Sequence, residues 1–270
     1  MHFINNRSLY LKSFEDLWGA SSGIGAGTAV LFSKLGAKLA ITGRKEDNLK
    51  KTADECEKNG SKPLIVVADL SKEDDVKTIM EKTISHFGKL NILVNCAGIL
   101  AYGSIETTSL EQFDEVFNVN LRSVYQLTML AVPHLITTQG CMVNVSSICS
   151  LRAFPGILAY NMSKSALDQF TCTVALELAS KKVRVNSVNP GIIVTEIHKR
   201  TGMTEEAYAQ VLEKSRKNHV LGRVGEVDDV AKTIAFLASD ASSFVTGALF
   251  PVDGARHITC PQATYSGVTY

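Results

Sequence analysis

A chain of 270 residues suits one large α/β domain, which buries roughly three quarters of the surface exposed by its unfolded form. Its 28 basic and 27 acidic side chains leave a net charge of +1, so nothing draws it toward nucleic acid or anionic lipid and a small-molecule partner is expected. No apolar run reaches the roughly 18 residues a bilayer span needs, and the first eighteen residues hold no signal-peptide core, which points to a soluble, cytoplasmic protein.

In chain order the first segment, 1–18, is the irregular one. A buried first strand is expected just before Gly19, yet the sequence there reads Phe14-Glu15-Asp16-Leu17-Trp18. An unpaired carboxylate in a central strand costs several kcal/mol or takes up a proton. The strand is therefore shifted or frayed, with SLYLK (8–12) as another candidate, or broken, or the written start is not the natural one. Gly19-Ala20-Ser21-Ser22-Gly23-Ile24-Gly25 then opens a helix near 23–35. Glycines there permit a tight turn and let the backbone approach a pyrophosphate seated on the positive end of the helix.

KLAIT (38–42) reads as a strand and ends on Gly43 and Arg44. An acidic residue at this strand end would take the ribose hydroxyls of NAD. A guanidinium pairs instead with a 2′-phosphate, so NADP(H) is expected, with NAD(H) as the alternative. After a helix near 46–58 come the strand PLIVVA (63–68), ending on Asp69, a helix near 72–87, and the strand LNILVN (90–95). Asp69 and the run Asn95-Cys96-Ala97-Gly98 thus fall at carboxyl ends of strands, where open α/β sheets bind ligands. A long helical segment follows near 110–136, then the strand CMVNVS (141–146).

Next comes the segment that carries chemistry: Asn144-Val145-Ser146-Ser147, and then a helix near 158–180 bearing Tyr160 and Lys164. Their four-residue spacing places both side chains on one helix face. A free tyrosine titrates near pH ~10 and is a poor base at neutrality. An ammonium at about 4 Å, with an effective dielectric of ~20, favours the phenolate by ~4 kcal/mol before solvation costs. That lowers the phenol by about three units, toward the range useful for acid–base work, and Ser147 is placed to hydrogen-bond the substrate oxygen. A strand at 183–188, helices at 203–217 and 227–238 and a closing strand at 248–252 complete the pattern. Alternation of apolar strands with helices implies right-handed crossovers and a doubly wound parallel sheet of the Rossmann type, in a single domain with an atypical first strand. Cys56, Cys96, Cys141, Cys149, Cys172 and Cys260 form no C-x-x-C pair, the histidines show no ligand spacing, and no metal is expected.

Over residues 19–257 the chain resembles the short-chain dehydrogenase/reductase family. The matching stretches are GASSGIG, NCAG, NVNLRS, NVSSI, YNMSK, NPGIIVT, GRVGEVDDVAKTIAFLASD and VDG. By that resemblance Tyr160 is the general acid for carbonyl reduction, Ser147 orients the substrate oxygen, and Lys164 lowers the tyrosine pKa and binds the nicotinamide ribose. Asn120 is similar to the family asparagine that holds a relay water. The resemblance also implies cofactor contacts at Ser21, Ile24, Asp69, Leu70, Asn95, Ala97, Pro190, Gly191, Ile193 and Thr195. Only sixteen residues follow VDG, which fits the compact branch of the family, whose members are often homotetramers; overall likeness is greatest to its 3-oxoacyl-[acyl-carrier-protein] reductase-like members. Gly254 matches a family glycine, Ala255 replaces a frequent second one, and 258–270 reads as a tail. Segment 196–222 is expected to cover the pocket as a helical lid. Two functions stand at this point: an NADP(H)-dependent oxidoreductase of carbonyls and secondary alcohols, or a catalytically weak, fold-retaining binding protein arising from the altered first strand.

Overall fold

In the computed structural model, residues 14–259 are described. Seven strands form one parallel sheet: β1 Phe14–Trp18, β2 Lys38–Gly43, β3 Leu64–Val67, β4 Ile92–Asn95, β5 Cys141–Val145, β6 Arg184–Pro190 and β7 Leu249–Val252, in the order β3-β2-β1-β4-β5-β6-β7. Each of the six strands read from apolar runs lies where the sequence places it. The irregular segment is also a strand. It pairs with β2 from Phe14↔Lys38 to Trp18↔Thr42, and with β4 from Glu15↔Ile92 to Trp18↔Asn95. Parallel pairing uses backbone groups, so the slot is filled despite a poor strand sequence. SLYLK (8–12) lies outside the described residues.

Helices cover both faces, as a parallel sheet requires. On one side α1 Gly23–Lys34, α2 Glu46–Asn59 and α9 Val227–Ala238 bury Phe32, Leu49 and Ile234 against Ile41, Val94 and Val143. On the other, α3 Glu73–Phe87, α5 Ser123–Thr138 and α7 Leu158–Leu178 bury Ile79, Leu127, Leu135 and Val174 against Val66, Leu93 and Met142. Sequence order runs outward in opposite directions from β1 and β4. That reversal opens a crevice above the carboxyl ends of the strands.

Two elements differ from expectation. The segment 110–136 is not one helix: α4 Leu110–Phe117 passes through a π-helical turn, Asn118–Arg122, before α5 begins. The widened turn brings the wholly buried Asn120 amide onto Ile99, whose backbone N–H donates to Oδ1 at 2.8 Å and whose carbonyl accepts from Nδ2 at 3.0 Å. Nδ2 also donates to Ser163 Oγ at 3.0 Å. The second difference is a short helix absent from the sequence reading, α6 Ile148–Leu151, capped by Ser147. The lid segment contains α8 Glu205–Asn218.

Candidate active site

The glycine turn forms the floor of a cleft of about 750 Å³ at the crevice. Gly19 and Ala20 both donate their backbone N–H to Thr42 O at 3.1 Å, which fixes the turn to the end of β2. Gly19 adopts φ +76°, and a Cβ on it would stand 2.8 Å from Ala97 N. A Cβ on Gly25 would stand 2.3 Å from Gly19 O, so the start of α1 can reach the loop only without a side chain. Ser22, at the N-cap of α1, makes no cap bond to the helix; its Oγ instead accepts from Arg200. The first N–H groups of α1 are thus left to the cleft, with the positive end of the helix dipole behind them.

Gly19, Ser21, Ser22, Gly23, Ile24, Gly25, Arg44, Asp69, Leu70, Ala97, Gly98, Tyr160, Lys164, Pro190, Gly191, Ile193 and Thr195 all line this cleft, together with Ser147. Among the expected cofactor residues the exception is Asn95. It is 2% exposed, lies behind the cleft wall, and donates from Nδ2 to Asn144 Oδ1 at 2.8 Å. Asn144 in turn donates to Thr171 Oγ1 at 2.8 Å, tying β4 and β5 to α7. Asn120 is likewise set back, though its Oδ1 and Lys164 Nζ would each lie 3.4 Å from a Cβ placed on Gly98. Arg44 is exposed at the end of β2. Burial opposes ionisation of Asp69, but two hydrogen bonds from Ser71 and the nearby Arg44 and Lys72 hold its carboxyl below the usual range.

At the other end Tyr160 and Lys164 sit side by side on α7, 9% and 3% exposed. α7 is held against β6 by the buried Asp168, which accepts from Asn189 Nδ2 at 2.7 Å and Ser187 Oγ at 3.2 Å. Lys164 Nζ donates to Val145 O at 2.8 Å and lies 5.8 Å from the centre of the Tyr160 ring. Ser147 arrives on α6, where its Oγ accepts from Cys149 N at 3.2 Å. The electrostatics depart from the sequence argument. Burial pushes the Tyr160 phenol up, aided by Cys149, and a hydrogen bond to Ser147 only partly opposes this. Burial also brings Lys164 down to about 8 from 10.5. Desolvation of both groups outweighs the attraction expected between ammonium and phenolate.

Tyr102, Phe154, Ile157 and Arg256 line the cleft without having been singled out beforehand, whereas His198 and Arg200 fall in the segment 196–222 expected over the pocket. The first four come from loops and from the turn after β7, where no periodic pattern marks a wall. Tyr208 on α8 ties the segment 196–222 to the cleft wall. Its hydroxyl donates to Thr195 O at 3.0 Å and accepts from Thr195 N at 3.2 Å. Among the described residues no cluster of His, Cys, Asp and Glu is arranged to hold a metal, five cysteines are free thiols, and no helix is long and apolar enough to cross a membrane. Cys260 lies outside the described residues.

The cleft suits a dinucleotide: a glycine cradle that a Cβ would fill, an uncapped helix start, and a tyrosine–lysine pair at the far end. A family model described as enoyl-(acyl carrier protein) reductase matches residues 19–257. The chain is 37% identical to 3-oxoacyl-[acyl-carrier-protein] reductase FabG of Thermotoga maritima, over 87% of this chain and 94% of that protein. It is 36% identical to a cyclohexanol dehydrogenase of an Acinetobacter species, over 88% and 92%. Among solved structures, a short-chain dehydrogenase/reductase of unknown function from Caenorhabditis elegans, determined with cofactor, superposes with a TM-score of 0.87 at 32% identity, covering 93% of this chain and 97% of that one. A 3-ketoacyl-(acyl-carrier-protein) reductase from Brucella melitensis, complexed with NADH, does so with a TM-score of 0.83 at 34% identity, covering 93% and 100%. With its sheet order, glycine cradle and Tyr160–Lys164 helix in place, this chain belongs to the short-chain dehydrogenase/reductase family of oxidoreductases.

Proposed function

We propose that the protein uses NADP(H) to reduce a carbonyl, or to oxidise the matching secondary alcohol, with Ser147, Tyr160 and Lys164 as its working set. The observation that carries this is their convergence in the same cleft that the glycine cradle opens. When bound, the nicotinamide supplies or accepts the hydride. Gly19, Ser21, Ser22, Gly23, Ile24 and Gly25 take the pyrophosphate, Arg44, Asp69 and Leu70 the adenosine end, and Ala97, Gly98, Pro190, Gly191, Ile193 and Thr195 the nicotinamide half. Asn95 acts from behind, by fixing the end of β4.

During reduction Tyr160 gives its phenolic proton to the carbonyl oxygen, and Ser147 Oγ holds that oxygen in line. A phenol kept protonated by burial suits the donor role. Lys164 binds the ribose and supplies positive charge beside the phenolate as it forms. Asn120 has its amide N–H groups committed to Ile99 and Ser163, so a relay water would use an Oδ1 lone pair or its backbone carbonyl. The reading further takes the protein as a cytoplasmic homo-oligomer, a tetramer by family likeness. Pairing of the first strand on both sides speaks against the broken strand on which the weakly active alternative partly rested.

Nicotinamide fluorescence during titration with NADPH tests the reading, and a flat response at millimolar coenzyme rejects it. The preference rests on Arg44. Arg44→Ala is expected to weaken NADPH by about tenfold, the worth of one charge-assisted hydrogen bond, and NADH much less. Equal losses for the two coenzymes would remove the basis for choosing NADP(H). The solved 3-ketoacyl relative with NADH keeps the second coenzyme in the test.

A further inference from the structure

Beyond Ser147 the cleft wall holds a cation that forms no ion pair with any described carboxylate. Arg256 begins a single turn, Arg256–Ile258, directly after β7, and Ala255 before it takes a left-handed φ of +66° that aims the turn back at the cleft. The guanidinium lines the cleft, 5.2 Å above the Phe154 ring. Its Nη1 is buried and has no hydrogen-bond partner among the described residues. Burial lowers its pKa, which is the mark of a charge taken out of water. It lies at the reacting end, because Cys149 feels both Arg256 and Lys164 and hydrogen-bonds to Ser147.

Among the described residues no carboxylate is free to serve as its counter-ion. Asp253 is within electrostatic reach, but its carboxylate is already taken up by His257 Nδ1 at 2.8 Å and by the backbone N–H groups of His257 and Ala255. Glu196, also on the cleft wall, is 3.4 Å from Lys199 Nζ. Burial holds the Cys149 thiol protonated. The remaining neighbours add positive charge: Arg152 bonds the carbonyls of this same turn, and His198 feels Arg256 as a repelling cation. Arg256 is half-buried, and a guanidinium that loses hydration without a counter-ion is costly, a cost that an anion entering with the ligand offsets.

We propose, building on the reductase reading, that the substrate carries a carboxylate a few bonds from its reacting carbonyl, and that the guanidinium of Arg256 receives it. The Phe154 ring packs the chain between the two groups. The site therefore selects oxo acids, or the corresponding hydroxy acids, over neutral ketones of the same length.

Isothermal titration of the full chain with hexanoate and with hexanamide, each in the presence and absence of NADPH, tests this without relying on turnover. Hexanoate is expected to bind about tenfold more tightly than hexanamide, as one charge-assisted hydrogen bond predicts. Arg256→Met keeps an unbranched apolar side chain, removes the guanidinium over Phe154 and should bring that ratio to one, whereas Arg256→Lys should retain part of it. Equal affinities in the wild type, no binding of either probe, or a ratio that survives in the methionine variant would each overturn the proposal. A wild type that binds NADPH normally and shows a ratio of one sinks the acid preference alone. Failure to bind NADPH sinks the reductase reading instead.

Discussion

Tyr160→Phe is expected to lower kcat for carbonyl reduction by about 10³-fold, within the range a positioned general acid contributes, while the dissociation constant for NADPH stays close to wild type. The substitution keeps the ring that packs on α7 and removes only the hydroxyl that bonds Ser147. NADPH consumption measures the first quantity and coenzyme fluorescence the second. Turnover within a few-fold of wild type would mean that some other group gives the proton.

Lys164→Met should differ in kind. It removes the ammonium as well as the bond to Val145 O, so both kcat and NADPH affinity fall, the first by about 10²-fold or more. The pH dependence supplies a sharper criterion. Lys164 is brought down to about 8 while Tyr160 is pushed up, so as pH rises it is the lysine that first loses its proton. Wild-type kcat/KM for NADPH, which reports the free enzyme, should fall through pH 8, and the methionine variant should be flat there. A limb that persists in Lys164→Met would belong to another group. Stability follows the same ionisation. Between pH 8 and 10.5 the unfolded chain holds a proton on Lys164 that the folded chain has released, so stability rises with pH across that window. Below pH 8 the buried ammonium costs on the order of 3 kcal/mol, and Lys164→Met should recover part of it in denaturant unfolding.

Most of the sheet was legible in the sequence because strands buried on both faces, such as β2, β4 and β5, have no polar alternation to blur them. Tyr160 and Lys164 were legible for a different reason: their helical spacing alone puts them together. Segment 14–18 was harder, since composition argues against a strand there and only pairing with β2 and β4 settles its place. The π turn at Asn118–Arg122 left no trace because a register shift inside a helix changes hydrogen bonds and not residue type. Burial, rather than charge proximity, sets the ionisation of Tyr160 and Lys164, and burial depends on neighbours from β5, α6 and α7 together. Arg256 was invisible for the same reason. Its meaning lies in the partner that Asp253 and Glu196 do not provide.

The position of β1 has a consequence for folding. The chain makes this strand first, yet its second partner, Ile92–Asn95, follows some seventy residues later, so the middle of the sheet is knitted by its most distant sequence contact. A polypeptide started at Gly19 would keep a β3-β2 pair and a β4-β5-β6-β7 slab with a bare flank on each. Two such naked margins invite pairing between molecules, and loss of β1 should appear as aggregation before it appears as lost catalysis.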